Sequence, residues 1–347
     1  MKIITFPIGT RSDKVKFGLT IVPALANLIA KSQEIPYTLA LNTIDSYIDC
    51  RENYVKPYLK ELDEQGIGYD DVWIDSGKEE FKKLLFNLDK LIKKGFITNQ
   101  KRKVYKCRCG KVEFLDTGIL NNKARLYKVI DNDTIQCREC GDTFSSEVVS
   151  CLIAKFPKVF PPKKVIPQNK TKEVEDTFLR ISNMEYMVSR TRETGVEVEV
   201  NSKKFFIDVD FFWLNILNTF DDLEYLICGS NHVIWHLSMM CALKQVLSPN
   251  SETSMLLSPY IYKGDFNECE LIDVHSEQAY IAFLGSLSWK KGNSVWNYQF
   301  LKCLKELGKK EYNYIINHVC KKLIKDNPEN ISKVNRNLIL KLLKECK

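Results

Sequence analysis

Residues 223–228, Leu-Glu-Tyr-Leu-Ile-Cys, run apolar and stop at Gly229, after which the apolar positions change period: Val233, Leu237, Met240 and Leu243 step by three or four. A short apolar run closed by glycine and followed by a helical stripe reads as strand, turn, helix. In an α/β sheet that order places the polar residues after the glycine at the strand's carboxyl end, where such sheets bind ligands. Ser230, Asn231, His232 and His236 occupy that place. Upstream, Phe205, Phe206, Ile207 and Val209 are β-formers and predict a strand of their own. A buried strand followed by a core helix would carry the same pattern with no ligand, so this unit constrains architecture before it says anything about activity.

The N-terminal part repeats the arrangement. Residues 2–7 predict a buried strand, residues 18–30 a mostly apolar helix, and residues 37–42 the next strand, which is the β-α-β opening of a Rossmann half. Farther on, Phe81, Leu84, Leu85, Leu88 and Ile92 predict one helical stripe, with Gly95 as its C-terminal cap. Cys107-Arg108-Cys109-Gly110 and Cys137-Arg138-Glu139-Cys140-Gly141 follow, and Cys151 stands by as a spare thiol. Two cysteine pairs, each followed by glycine, suit a tetrahedral thiolate site closing a small β-ribbon. Four thiolates leave no open position, so a metal held there is structural. Residues 156–168 contain four prolines and read as a crossing between domains, and residues 174–183 read as a helix.

Composition narrows the class. With 347 residues, 44% apolar and 27% charged, the chain can bury a full core in one large or two moderate domains. No apolar run approaches the ~20 residues that span a bilayer; residues 19–30 come closest and Pro23 interrupts them. The opening residues are too short and too soon broken for a signal peptide, so the 12 cysteines predict reduced thiols in a cytoplasm. Residues 301–347 carry twelve Lys or Arg against five Asp or Glu, an excess equal to the +7 of the whole chain. A basic segment on a neutral body suits a grip on a polyanion, and suits equally a solvated helical face.

Several pieces in one order resemble the catalytic domain of class I aminoacyl-tRNA synthetases, most closely the methionyl branch. Ile207-Asp208-Val209-Asp210 stands for the family's V-W-F-D-A, and residues 229–236 stand for G-K-D-I-x-x-F-H, keeping Gly229, an aromatic and His236. Val188-Ser189-Arg190 and Gly195-Val196-Glu197-Val198 resemble I-S-R…W-G-I-P-V-P. Gly66-Ile67-Gly68-Tyr69-Asp70 and Leu91-Ile92-Lys93-Lys94-Gly95-Phe96-Ile97 match the longest continuous stretch of the methionyl pattern. The signature motifs depart from it. Lys16-Phe17-Gly18-Leu19 stands at the H-I-G-H position, keeping the glycine and neither histidine; residues 284–293 stand at K-M-S-K-S-x-G-N, keeping Ser288 with Lys290 and Lys291 displaced.

The resemblance implies a fold and roles. The fold is α/β, a Rossmann-like (HUP-type) parallel-sheet catalytic domain with a zinc-ribbon connective insertion and a C-terminal helical segment. Residues 1–100 would form the first Rossmann half, 101–165 the cysteine-rich insertion, 166–295 the second half, and 296–347 a basic stem too short for a full anticodon-binding domain. Lys16, Lys290 and Lys291 would meet phosphates, and Gly18, Gly229, Asn231 and Ser288 would bind ATP. Asp45 would accept the ammonium group of an amino acid whose side chain meets Ile8, Asp208 and His236, with methionine the leading candidate. Bland roles stand beside these: Lys16 as a surface lysine, Asp45 as a turn or helix-capping residue, residues 284–293 as a polar turn. Cys107, Cys109, Cys137 and Cys140 would hold Zn²⁺, or remain unligated in a relic of the family's knuckle. The partners implied are ATP with Mg²⁺, an amino acid and tRNA through the basic segment, with no membrane. The altered signatures keep a second reading open, a paralogue that retains the fold without activation and binds tRNA, a nucleotide or a protein. A zinc-ribbon nucleic-acid binder would explain the cysteines and tail alone.

Overall fold

The structure is a computed structural model. It describes residues 2–9, 17–44, 51–109, 112–113, 127–131, 134–138, 140–156, 158, 160–162, 164–182, 184–190, 196–208, 211, 223–229, 238–248, 253–258, 261–262 and 293–294. The chain begins with β1 (Lys2–Thr5), β2 (Ile8–Gly9), α1 (Phe17–Gln33), β3 (Tyr37–Asn42), α2 (Val55–Glu64), β4 (Asp71–Ile74) and α3 (Lys78–Lys93). Next come β5 (Ile97–Lys106), β6 (Val112–Glu113), β7 (Tyr127–Val129), β8 (Ile135–Cys137) and β9 (Ser145–Lys155). The chain returns through β10 (Val165–Ile166), α4 (Thr171–Ile181), β11 (Glu185–Met187), β12 (Ser189–Arg190), β13 (Val196–Val200) and β14 (Lys203–Ile207). Finally there are β15 (Leu223–Gly229), α5 (Ser238–Leu247), β16 (Ser254–Ser258), β17 (Ile261–Tyr262) and β18 (Asn293–Ser294).

A parallel sheet lies at the centre, in the order β10, β16, β15, β1, β3, with β4 on the far edge of β3. β2 also pairs with β3, resuming on β1's side after Pro7 interrupts the run. The expected β-α-β opening is thus present, with β3 covering the residues assigned to it. β3 is buried along its whole length, and β15 and β16 nearly so. Apolar runs without alternation belong to strands covered on both faces. α1 packs on β1, β3, β15 and β16. The opposite face carries Ile4, Ala40, Leu226 and Cys228 in one core cluster with Leu84, Leu88 and Leu91 of α3, Val174 and Phe178 of α4, and Met240, Leu243 and Leu247 of α5. The connections that follow β1 and β15 therefore lie on opposite faces, and the sheet changes direction between those two strands.

The strand expected from the β-formers at Phe205, Phe206 and Ile207 is present as β14 but begins two residues earlier, at Lys203; it forms an antiparallel hairpin with β13, with β12 on its other edge, apart from the central sheet. Asn201 and Ser202, at φ of 50° and 59°, make the two-residue turn whose twist suits such a hairpin. The helical stripe is also shifted. Leu84, Leu88 and Leu91 are buried, while Phe81 and Leu85 are 36% and 39% exposed, because the helix turns Glu80 and Asn87 inward with the leucines. Gly95 follows α3 at φ 71° and caps it as expected.

The cysteine-rich insertion stands on a ribbon of β5 and β9, paired antiparallel from Ile97↔Ala154 to Lys106↔Ser145. Its root, Ile97 and Ala154, lies in the main core. Its middle buries Val104, Cys151, Ile153 and Met187 together, and its tip buries Tyr105, Cys107, Tyr127, Ile135, Cys137 and Phe144. The tip therefore has a small core of its own. Among the described residues no helix is long and apolar enough to cross a membrane.

Candidate functional site

The crevice at the carboxyl ends of β1 and β15 is the place this topology offers a ligand. Lys2 to Thr5 pair with residues 223–227, so the two strands end together, and the Phe6 amide donates to the Ile227 carbonyl at 2.7 Å. Gly229 ends β15, and Gly18 lies in the first turn of α1, which starts from the same edge of the sheet before leading back to β3. A helix N-terminus presents unpaired N–H groups there, suited to an anion. Ile8 is buried in β2 at this edge, against Leu41 of β3. Asp208 is buried directly after β14, its amide donating to the Val188 carbonyl at 2.7 Å. Ile207 and Phe211, which bracket Asp208, belong to the core cluster that includes Phe6 and Cys228 at the ends of β1 and β15. Ile8, Gly18 and Gly229 are thus gathered at one edge, and Asp208 is tied to the core beneath it. Lys16, Asp45, Asn231, His236, Ser288, Lys290 and Lys291 lie outside the described residues.

One residue at this edge escaped the sequence reading. Asp75 follows β4, is fully buried, and turns its carboxylate across to the loop after β3. Its Oδ1 accepts from the Thr43 amide at 2.7 Å, the Thr43 hydroxyl at 2.8 Å and the Ile44 amide at 3.3 Å, and its Oδ2 accepts from Asn42 Nδ2 at 2.8 Å. Nδ2 of Asn42 also donates to the Ile44 carbonyl at 3.0 Å, closing the turn. The available signal was positional: a carboxylate directly after a strand of a parallel sheet sits at the ligand edge.

The four cysteines meet at the tip of the ribbon. The Sγ atoms of Cys107, Cys109, Cys137 and Cys140 all lie within 4.8 Å of one another, with Cys107 and Cys140 3.2 Å apart and Cys109 and Cys137 3.7 Å apart. Zn–S bonds of about 2.3 Å in a tetrahedron set neighbouring sulfurs about 3.8 Å apart, so the four residues fit Zn²⁺. The narrow spacing of Cys107 and Cys109 is no obstacle. The second pair folds as a tight knuckle, in which the Gly141 amide donates to the Cys137 carbonyl at 3.0 Å and Gly141 sits at φ 77°. Burial, reinforced by the neighbouring thiols, pushes Cys107 up to about 12. At Cys137 burial acts in the same sense, but the Cys140 amide and the neighbouring thiols outweigh it and lower its pKa. Four sulfurs so close cannot all ionise without a cation among them, and a bound Zn²⁺ would supply it. Cys151 takes no part: it is buried in the ribbon against the Gln100 carbonyl, and burial raises it to about 11 against the opposing charge of Arg102.

No protein-family model matches the chain, and no curated protein matches its sequence. Solved structures do match. Mycobacterium tuberculosis methionyl-tRNA synthetase in complex with methionyl-adenylate superposes with a TM-score of 0.70 at 9% identity, covering 99% of this chain and 81% of that one. A second structure of that enzyme with methionyl-adenylate gives 0.69 at 9%, and its apo form gives 0.66 at 10% with 79% of that chain covered. The likeness lies in the path of the backbone, from the parallel sheet through the cysteine-bearing insertion and back. At the level of the fold, this chain is methionyl-tRNA synthetase-like.

Proposed function

We propose that the protein is a class I aminoacyl-tRNA synthetase-like ligase of the cytoplasm. It activates an amino acid with ATP and passes the aminoacyl group to tRNA or another acceptor. The observation that carries this reading is the placement of Gly18 and Gly229 at one edge of the sheet, on either side of the point where its crossovers change face. In the reaction the amino-acid carboxylate attacks the α-phosphorus of Mg²⁺-bound ATP, and the bond to pyrophosphate breaks. Such chemistry depends on positioning and on cations that meet the charge developing on phosphate. Gly18 and Gly229 allow nucleotide to approach the backbone, with Asn231 and Ser288 completing its contacts. Lys16, Lys290 and Lys291 supply positive charge in place of the family's histidines and lysines. Asp45 takes the substrate ammonium, and Ile8, Asp208 and His236 face the side chain, with methionine the leading candidate. Zn²⁺ on Cys107, Cys109, Cys137 and Cys140 holds the insertion's shape and takes no part in the chemistry.

The test is ATP–pyrophosphate exchange with each amino acid in turn. Exchange dependent on one of them is the expected result, and that amino acid names the substrate. The loss of both signature histidines favours a second reading, a paralogue that retains the fold and binds tRNA without activating an amino acid. Exchange with none, alongside retained tRNA binding, would establish that reading instead.

A further inference from the structure

We infer that Asp75 is the positioning residue of the amino-acid subsite: its carboxylate fixes the turn at residues 42–44, from which Asp45 extends. The inference deepens the proposed function and rests on Asp45 as the acceptor of the substrate ammonium. A loop that leaves the end of a parallel strand has no sheet partner to hold it, yet a carboxylate that meets a cation must stand in place before the cation arrives. Asp75 supplies the missing hold. The amides of Thr43 and Ile44, consecutive along the chain, both point at one of its oxygens, and Asn42 Nδ2 points at the other. Thr43 adds its hydroxyl, whose oxygen also lies 2.8 Å from Ser76 Oγ.

The residue type matters here. A buried carboxylate accepts at every lone pair and presents no donor, which is what four converging donors require. Asparagine has the same shape but turns an NH₂ toward one side of the site. It would oppose either the Asn42 amide or the two backbone N–H groups, so a change of no volume should loosen this turn. The turn ends at Ile44, one peptide bond from Asp45, and misplacing a group that binds the substrate by about 1 Å costs up to roughly 100-fold, here in the binding of the amino acid.

Asp75→Asn in the full chain is the test, read by pyrophosphate exchange and by residue-resolved amide hydrogen exchange. We expect the KM for the amino acid to rise about 10- to 100-fold, with the KM for ATP unchanged. The Thr43 and Ile44 amides should exchange faster while those of β1 and β15 keep their protection. Thr43→Val, which removes one donor and leaves the backbone bonds, should shift the same two readouts less. An unchanged amino-acid KM would overturn the inference, as would equal rises in both KM values, which mark general damage to the fold. Wild-type protein that exchanges with no amino acid would sink the proposed function instead. Amide exchange would then decide alone: faster exchange at Thr43 and Ile44 in Asp75→Asn supports the anchor, and unchanged protection overturns it.

Discussion

A Cβ built at Gly95 would touch nothing within 4 Å, so space is not what selects glycine there. Its φ of 71° is: the left-handed conformation that ends α3 strains any residue with a Cβ. Gly77 makes the contrast. It caps the start of the same helix at φ −63°, and a Cβ there would meet the Ile74 carbonyl oxygen at 3.5 Å and Glu80 Cγ at 3.6 Å, both ordinary contacts. Gly95→Ala should therefore lower stability by about 1 kcal/mol, strain being partly offset by a less flexible unfolded chain. Gly77→Ala should be neutral to within about 0.5 kcal/mol, a poorer cap set against the same entropic gain. Urea unfolding of the two variants beside wild type checks both. Gly95 could be read from the sequence because it follows a helical stripe. The hold of Asp75 on residues 42–44 could not, because it joins the ends of two strands that only the sheet brings together.

At the scale of elements, the strands divide by how they are covered. Residues 223–228 are apolar nearly without alternation, and β15 lies in the centre of a sheet covered on both faces. Residues 196–200 alternate Val-Glu-Val-Glu-Val, and β13 accordingly buries Val198 while exposing Glu197 and Glu199 in an antiparallel hairpin. Its partner β14 lacks that alternation, so the β-forming aromatics at Phe205 and Phe206 predict a strand without saying which sheet it joins. The usable cue was the Asn201-Ser202 turn between the two runs. The knuckle could be read because metal ligands must recur at short spacings, whereas the ribbon that carries it depends on register between residues 97–106 and 145–155. These arguments fix what the thiols should do. Cys137→Ser should abolish binding of the roughly one Zn²⁺ per chain that four thiolates hold, and should release the small core of Tyr105, Tyr127, Ile135 and Phe144. Cys151→Ser should keep the metal, since its sulfur lies outside the cluster. Metal analysis of the purified variants, with hydrogen exchange over the insertion, separates the two outcomes. The central sheet, whose core is distinct from that of the tip, should unfold cooperatively in both.

The whole molecule is divided by charge. Residues 301–347 hold an excess of seven positive charges, and the remaining 300 residues hold 39 basic and 39 acidic side chains. A neutral body attracts polyanions weakly, whereas a basic segment gains affinity by releasing counterions from the phosphates it neutralises. If tRNA is the acceptor and this segment grips it, affinity should fall steeply with salt, and the steepness should reside in the segment. Removal of residues 301–347 should then weaken tRNA binding and flatten the slope of log affinity against log salt, because fewer phosphates are neutralised. Amino-acid-dependent pyrophosphate exchange should respond differently, since it requires no tRNA and its proposed machinery lies within residues 1–295. Filter binding across a salt series, with exchange measured on the same truncated protein, tests the division directly. Equal slopes for the full and truncated chains would place the phosphate contacts on the body and leave the segment no part in the grip.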